Sequence, residues 1–454
     1  MKIIIAGAGE LGRLLASTLS NAAHEVVIID SDSDMLEHIN DKLDIRVVEG
    51  SCISIDTLKN AGIKSADALL AVSGDEAANI LCCQLAGKMG IRKTVCRLNS
   101  ADCFSETDGI VPEKIGIWKC VYPAEECVGK IRSVLRNRLL MEKIRFSNPN
   151  AVMEVFLVTP SSMLAGTRIK DIPTASGLLN SVRFAAIVRQ KQFLIPHGDT
   201  LLVPGDKVYI AGAVSAVDRF IDWVSENTSE VEPSRIVIAG ATATGKQLAA
   251  ALCRDGYDVR FIEKNQKKGE KLLDTLPPGI LVINGDPTDE EVLEEAGIAD
   301  CEGFVGTAQD DEDNILSCIM AKRLGAKKTV TVTSKPEYIR IVPAMDMVDC
   351  GFSSTLTAVN SILRMLESGT MRIDAFLQMF HARLTEFRVS NSSPLCGREL
   401  ATCKLPASTL FALAFRKGEI IAPSGNTVLE PGDTVVAIVT PDVEKELEPL
   451  FPEK

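Results

Sequence analysis

Residues 239–250 read AGATATGKQLAA, and the reading given to them decides the architecture of half the chain. Gly240, Gly245 and Lys246 spell G-x-x-x-x-G-K, one residue short of a phosphate-gripping P-loop. The same residues spell G-x-T-x-x-G, a dinucleotide fingerprint whose middle glycine is replaced by Thr242. A P-loop needs Ser or Thr after its lysine to ligate Mg²⁺, and Gln247 offers an amide instead.

A duplicate elsewhere in the chain resolves the ambiguity. GIKSADALLAVSGDEAANILCCQLAGKMGIRKTV, starting at Gly62, matches GIADCEGFVGTAQDDEDNILSCIMAKRLGAKKTV, starting at Gly297, at a constant offset of 235. Asp75 meets Asp310, Asn79 meets Asn314, Ala86 meets Ala321, and Lys93-Thr94-Val95 meets Lys328-Thr329-Val330. Upstream the offset is 233, which sets Gly7 on Gly240, Gly12 on Gly245, Arg13 on Lys246 and Asp30 on Glu263. Downstream, Pro204-Gly205-Asp206 meets Pro431-Gly432-Asp433 at 227. Residues 239–250 are thereby the opening turn of a second dinucleotide-type domain, and the P-loop spelling is accidental.

Each half divides again. In the first, KIIIAG, EVVIID, IRVVEG, ALLAVS and TVCRLN alternate with helical patterns starting near Leu11, Asp34 and Ala77. Such alternation predicts a parallel sheet with helices on both faces. Helical spacing recurs at Val128, Ile131, Leu135 and Leu139, and again at Val359, Ile362 and Leu366, predicting helices that lead out of each sheet. Antiparallel-looking runs follow: VMEVFLVTP, RFAAIVRQ and DKVYIAGA, then LTEFRVSN, LFALAFRKGE and DTVVAIVTP, each set with a PGD turn before its last strand. The expected fold class is α/β: two Rossmann-like doubly wound parallel-sheet domains, 1–124 and 233–352, each followed by a small α+β lobe, 142–228 and 370–454. Residues 225–234, SENTSEVEPS, read as a linker.

With 454 residues, 46% hydrophobic and 24% charged, the chain has the composition of a soluble globular protein. Its net charge of -12 and pI near 5.1 exclude a broad nucleic-acid surface, which needs a basic stripe. No apolar run approaches the roughly 18 residues needed to span a bilayer, and MKIIIAG opens as a strand rather than a signal peptide, so a cytoplasmic location is expected. The thirteen cysteines form no C-x-x-C pair and the four histidines lie far apart, so no metal site is expected.

The first fingerprint, Gly7-Ala8-Gly9-Glu10-Leu11-Gly12, follows a strand and opens a helix. Gly7 permits the turn, Gly9 lets backbone approach a pyrophosphate, and Gly12 allows close helix packing. Asp30 closes the second strand, where it would accept hydrogen bonds from ribose hydroxyls and repel a 2′-phosphate, so NAD(H) is preferred to NADP(H). Ser51, Ser73 and Gly74 follow later strands at the same sheet end, as ligand contacts or as turn residues. Arg97 would neutralise phosphate or pair with a carboxylate. In the second half Thr242 puts a side chain where Gly9 has none, while Glu263 keeps a carboxylate for ribose. That half is expected to accept an adenine nucleotide, NAD(H), ATP or ADP, with altered phosphate contacts.

A dehydrogenase needs a proton-transfer residue beside the hydride acceptor and a substrate domain. His24 precedes the second strand at the opposite sheet end, His38 lies in the next helix, and His197 and His381 lie outside the large domains. No catalytic residue is assigned. Binding without catalysis is the economical reading; an NAD-dependent oxidoreductase with an unrecognised active site, or a nucleotide-binding regulator of another cation transporter, are its rivals.

MKIIIAGAGELGRLLA, Asp30, the ADALLAVSGDEAANILCCQLA block and the large-small order ending in PGD turns resemble RCK (KTN) domains, here in tandem. The resemblance covers essentially the whole chain. It implies a peripheral regulatory subunit on the cytosolic face of the membrane that binds NAD(H) and adenine nucleotides. It also implies a homo-oligomeric ring, dimeric or tetrameric, that gates a Trk-type potassium channel or transporter. Carried over by position, the first site would comprise Gly7, Ala8, Gly9, Glu10, Leu11, Asp30, Ser51, Ser73, Gly74, Arg97 and Leu98. The second would comprise Gly240, Ala241, Thr242, Ala243, Thr244, Glu263, Asp286, Thr307 and Ala308.

Overall fold

Short apolar strands of three to six residues, alternating with helices, build the first large domain. Its elements are β1 (Lys2–Ala6), α1 (Glu10–Asn21), β2 (Glu25–Asp30), α2 (Ser33–Asn40), β3 (Arg46–Glu49), α3 (Ile55–Asn60), β4 (Ala68–Ala71), α4 (Glu76–Lys88), β5 (Lys93–Arg97) and β6 (Lys119–Val121). The computed structural model describes every residue except 23, 106, 138, 147, 173–181, 191, 226–234, 336, 339–341, 343–346, 367–371, 374–382, 407, 408, 440, 453 and 454. The expected linker, apart from Ser225, and His381 therefore lie outside the described residues.

The sheet order is β3-β2-β1-β4-β5-β6, and every pairing is parallel. Both faces are covered, which is why Ile3, Ile4 and Ile5 are all fully buried rather than alternating. Asp32, Ser54 and Asp75 cap α2, α3 and α4 through their side-chain oxygens. The order reverses between β1 and β4, which opens a crevice at the carboxyl ends of those strands.

The second large domain repeats this: β12 (Arg235–Ala239), α7 (Ala243–Arg254), β13 (Asp258–Glu263), α8 (Gln266–Thr275), β14 (Leu281–Asn284), α9 (Glu290–Glu295), β15 (Gly303–Gly306), α10 (Asp311–Arg323), β16 (Lys328–Thr333) and β17 (Cys350–Ser353), in the order β14-β13-β12-β15-β16-β17. Periodicity did not reveal α3 and α9, which are only six residues long, or the sixth strands β6 and β17.

Between the large domains lies a five-stranded antiparallel lobe: β7 (Leu140–Arg145), β8 (Ala151–Leu157), β9 (Val182–Arg189), β10 (Gln192–Leu194) and β11 (Lys207–Ala213), followed by α6 (Val214–Ser225). Its duplicate comprises β18 (Arg372–Ile373), β19 (Arg383–Arg388), β20 (Leu410–Arg416), β21 (Glu419–Ile421), β22 (Thr434–Val439) and a closing helix, Pro441–Leu447. β7 begins two residues before the expected boundary at 142, and β17 ends one residue past 352. The PGD turns anchor both lobes. Arg189 donates Nε and Nη2 to the two Asp206 oxygens at 2.7 Å each, and Arg416 does the same to Asp433 at 3.0 and 2.7 Å. One face of each lobe joins a shared core containing Tyr209, Leu384, Leu413 and Val436.

The two outgoing helices exchange partners. α5 (Pro123–Arg136) ends before Leu139, which the spacing had placed in it, and inserts Val128, Ile131, Val134 and Leu135 among Ile236, Leu248 and Phe261 of the second large domain. α11 (Ser354–Leu366) inserts Val359, Ile362, Leu363 and Leu366 among Ile3, Leu15 and Ile28 of the first. At roughly 1.5–3 kcal/mol for each buried Val, Leu or Ile, neither helix is loosely held. The aligned lysines close both ends. Lys328 Nζ donates to the carbonyls of Val134 at 2.7 Å, Asn137 at 3.0 Å and Leu140, where α5 terminates. Lys93 Nζ reaches the Leu366 carbonyl of α11 at 3.5 Å. Helix C-terminal carbonyls lack intrahelical partners and favour a cation.

Candidate functional site

A cleft of about 690 Å³ opens at the switch point of the first large domain. That is within the range of about 300–1,000 Å³ usual for small-molecule sites. Gly7 stands at φ +111°, and a Cβ there would lie 2.7 Å from the Ser73 backbone, so β1 can turn beside the β4 loop only as glycine. A Cβ on Gly12 would sit 1.8 Å from the Gly7 carbonyl oxygen. On Gly9 it would meet nothing within 4 Å, because this glycine faces the open cleft. Gly9 is also the N-cap of α1 and offers no side-chain cap, leaving the N-terminal N–H groups of that helix to a ligand.

Asp30 is aimed by the backbone: Oδ2 accepts from Ala8 N at 2.6 Å and Oδ1 from Asp32 N at 3.0 Å. Each oxygen keeps a lone pair for a ribose hydroxyl. Asn79, fully buried, ties the next loop together. Its Oδ1 accepts from Ser73 N at 3.0 Å and its Nδ2 donates to the carbonyls of Ser73 and Arg97, both at 3.1 Å. Among the described residues lining the cleft, Arg97 is the one cation, and it forms no ion pair. Burial lowers its pKa and the Coulomb field of Glu76 opposes that. Arg97 Nη1 donates to the Val72 carbonyl at 3.4 Å.

Of the first-site residues singled out by sequence, Gly7, Gly9, Glu10, Leu11, Asp30, Ser51, Ser73, Gly74 and Arg97 border the cleft. Leu98 does not; it is fully buried in the core beneath the sheet. Ala8 contributes through its N–H, with its side chain in the opposite core. Sequence reasoning missed Cys52, Met35 and Pro123, and above all Ser334, Ser354, Thr355 and Ala358, which come from the second half of the chain. The repeated Asn79 and Asn314 were visible as a match, and their identity in both copies was the available signal. No local pattern could place α11 beside β4.

The second crevice is about 90 Å³. Glu263 copies Asp30, accepting from Ala241 N at 2.7 Å and Asn265 N at 2.9 Å. Asn314 copies Asn79, bonding Ala308 N, Ala308 O and Val332 O. A Cβ on Gly245 would lie 2.4 Å from the Gly240 carbonyl, so this glycine serves helix packing, and Lys246 projects from the exposed face of α7. Thr242 differs from its expected role. Its Oγ1 donates to the Thr307 carbonyl at 2.7 Å and accepts from Gly245 N at 3.3 Å, so it folds back as the N-cap of α7. Where Ser31 and Ser51 stand in the first copy, Lys264 and Asp286 form an ion pair of 2.6 Å, and Lys264 holds the Asp286 carboxyl down at about 2. Gly240, Ala241, Thr242, Glu263 and Ala308 line this crevice, whereas Ala243, Thr244, Asp286 and Thr307 do not. Thr307 is buried, donating to the carbonyls of Ala239 and Gly240.

The TrkA-N domain model matches residues 3–108 and 236–349, and the TrkA-C domain model matches 153–225 and 384–451. The chain belongs to the TrkA family. Trk system potassium uptake protein TrkA homolog 1 of Methanosarcina mazei is 29% identical over 99% of this chain and 100% of its own length. Trk system potassium uptake protein TrkA of Vibrio alginolyticus is 28% identical over 99% and 98%. Among solved structures, the GsuK RCK domain superposes with a TM-score of 0.61 at 18% identity, covering 99% of this chain and 94% of that one. The GsuK channel bound to NAD gives 0.62 at 19%, covering 99% and 78%. At these identities the likeness to GsuK is one of fold, and it confirms the tandem TrkA-family architecture of α/β domains and small lobes.

A further cleft of about 730 Å³ lies between α5 and α11 and contains Lys130, Lys143, Arg145 and Arg364. Three of these cations are already engaged: Lys130 by Thr357, Lys143 by Glu154 and Asp218, Arg364 by Glu126. The first cleft, with uncapped helix N–H groups and an unpaired arginine, is the better anion site. Burial pushes the thiols of Cys127, Cys301 and Cys318 up to about 12, and among the described residues no His/Cys/Asp/Glu cluster could hold a metal ion.

Proposed function

We propose that this TrkA-family chain is a nucleotide-sensing regulatory subunit of a Trk-type potassium uptake system. It binds NAD(H) in the first cleft and gates a membrane potassium channel or transporter without catalysing a reaction. The observation that carries this reading is the combination at the first cleft of bare Gly9 over the α1 N-terminus with the Asp30 carboxylate oriented by Ala8 N–H. The relatives are named as potassium uptake proteins, and the GsuK channel has been solved bound to NAD and to ADP. His24, His38 and His197 do not border the cleft, which favours binding over hydride chemistry.

The second crevice, lined by Thr242 and by Lys264, which Asp286 holds, is a secondary adenine-nucleotide site at most. We place the chain in the cytoplasm as a homo-oligomeric ring held at the membrane by its channel subunit; among the described residues no helix is long and apolar enough to cross a membrane. Gating follows if the nucleotide binds two ring shapes with different affinity, since equal affinity shifts nothing. The test is potassium uptake in transport-deficient cells carrying a Trk-type membrane subunit, with wild-type chain, no chain, or Asp30→Ala. Uptake is expected to depend on the chain and to lose its nucleotide response in Asp30→Ala. Uptake indifferent to the chain would overturn the proposal, and turnover of NADH would return the oxidoreductase reading.

A further inference from the structure

The far end of the first cleft is built by the other half of the chain. Asp30 and Gly9 mark where a ribose and a pyrophosphate would lie, over β2 and the β1–α1 turn. In a doubly wound sheet a dinucleotide continues from there across the switch point toward the later strands. The wall it would meet carries Ser73, Gly74 and Arg97, and beyond them Ser354, Thr355 and Ala358 of α11. Among the described residues, neither the Ser354 nor the Thr355 hydroxyl has a hydrogen-bond partner, although Thr355 is only 8% exposed. Both oxygens are open to the cleft, so each is free to bond a ligand there. Ser334, which also borders the cleft, is different, being committed to Asp311.

We propose that Ser354 and Thr355 contact the distal, nicotinamide-ribose half of a bound dinucleotide, so that α11 is touched by a dinucleotide and left untouched by a mononucleotide ending at its first phosphate. The inference rests on the reading of the first cleft as a nucleotide site. Its consequence is that ligand length decides what the rest of the chain feels. α11 packs on α1 and on α5, is held at its far end by Lys93, and leads onward to the second small lobe. A contact made only by the longer ligand supplies the differential interaction that a shift between conformations requires.

Isothermal titration of the full-length protein with NADH and with AMP tests this. The double variant Ser354→Ala, Thr355→Ala is expected to bind NADH about tenfold more weakly, the loss of one to two neutral hydrogen bonds, with AMP affinity unchanged. Equal weakening of both ligands, or of neither, overturns the inference. Asp30→Ala separates this from the parent reading: it is expected to weaken both ligands, and unchanged binding of both would remove the nucleotide site and the inference with it. Amide exchange over 354–366 in the wild-type protein gives an independent measurement. NADH should slow it and AMP should not, and equal protection by the two overturns the proposal.

Discussion

The two large domains share one topology and differ in what stands at the start of their first helices. In the first copy, Gly9 leaves the α1 N-terminus bare and the cleft beside it measures about 690 Å³. In the second, Thr242 caps α7 from within, an ion pair replaces two serines, and about 90 Å³ remains. The carboxylates Asp30 and Glu263 and the clasps Asn79 and Asn314 are alike in both. Duplication has therefore preserved the devices that hold a Rossmann-type loop in shape and changed the helix start and the crevice beside it. A helix can be capped by its own N-cap side chain or left bare, and this chain does one in each half.

The sharpest way to break that comparison is through the glycines. Gly12→Ala and Gly245→Ala are each expected to destabilise their domain by at least about 3 kcal/mol, because the new methyl would meet backbone at 1.8 and 2.4 Å. Gly9→Ala, which meets nothing, should leave the melting temperature essentially unchanged while weakening NADH at least tenfold; calorimetric melting beside titration reads both. An unstable Gly9→Ala would show that Gly9 is structural and that the copies do not differ as described.

The lysine clamps come next. Lys328→Met leaves the carbonyls of Val134, Asn137 and Leu140 without their buried cation and should cost about 3 kcal/mol in urea unfolding. Lys93→Met, which loses one 3.5 Å hydrogen bond and a cation–π contact at 5.7 Å from the Trp118 ring, should cost about 1 kcal/mol. Burial lowers the Lys328 pKa. Between that lowered value and the ordinary value of about 10.4, the unfolded chain carries the extra proton, so stability rises with pH across the window. Lys328→Met should flatten this rise relative to wild type; an identical slope would mean that Lys328 is not the group responsible.

Smallest is Thr242→Gly. Glycine is a tolerable N-cap, so the loss should be only a few tenths of a kcal/mol. NADH stoichiometry by titration should remain one per chain, since Lys264, held by Asp286, still lines the crevice. A second equivalent appearing with this one substitution would show that Thr242 alone makes the difference between the copies.

Much of this was legible because the chain carries its own alignment. The matched glycines identified residues 239–250 as a Rossmann-type turn, and the structure shows why: Gly245 must be bare against the Gly240 carbonyl, while Lys246 faces away. Asp30 and Glu263 were readable from strand-end position alone, since a parallel strand delivers its last residue to the ligand end of the sheet. Leu98, Thr307 and Asp286 were less well placed by position. One residue along a strand changes the face, and nothing local reports whether a side chain meets solvent, core or an ion-pair partner.

By itself the sequence determined the doubling, the large-small order, the turn glycines and the strand-end carboxylates Asp30 and Glu263. These depend on residues close along the chain, where backbone geometry restricts the choice of side chain. Only the tertiary structure decided that α5 and α11 exchange domains, that Lys93 and Lys328 hold their ends, and that Ser354 and Thr355 wall a cleft begun more than three hundred residues earlier. Hydrophobic burial accounts for that division: it is non-directional, so an amphipathic helix specifies that a face must be covered without specifying which domain covers it.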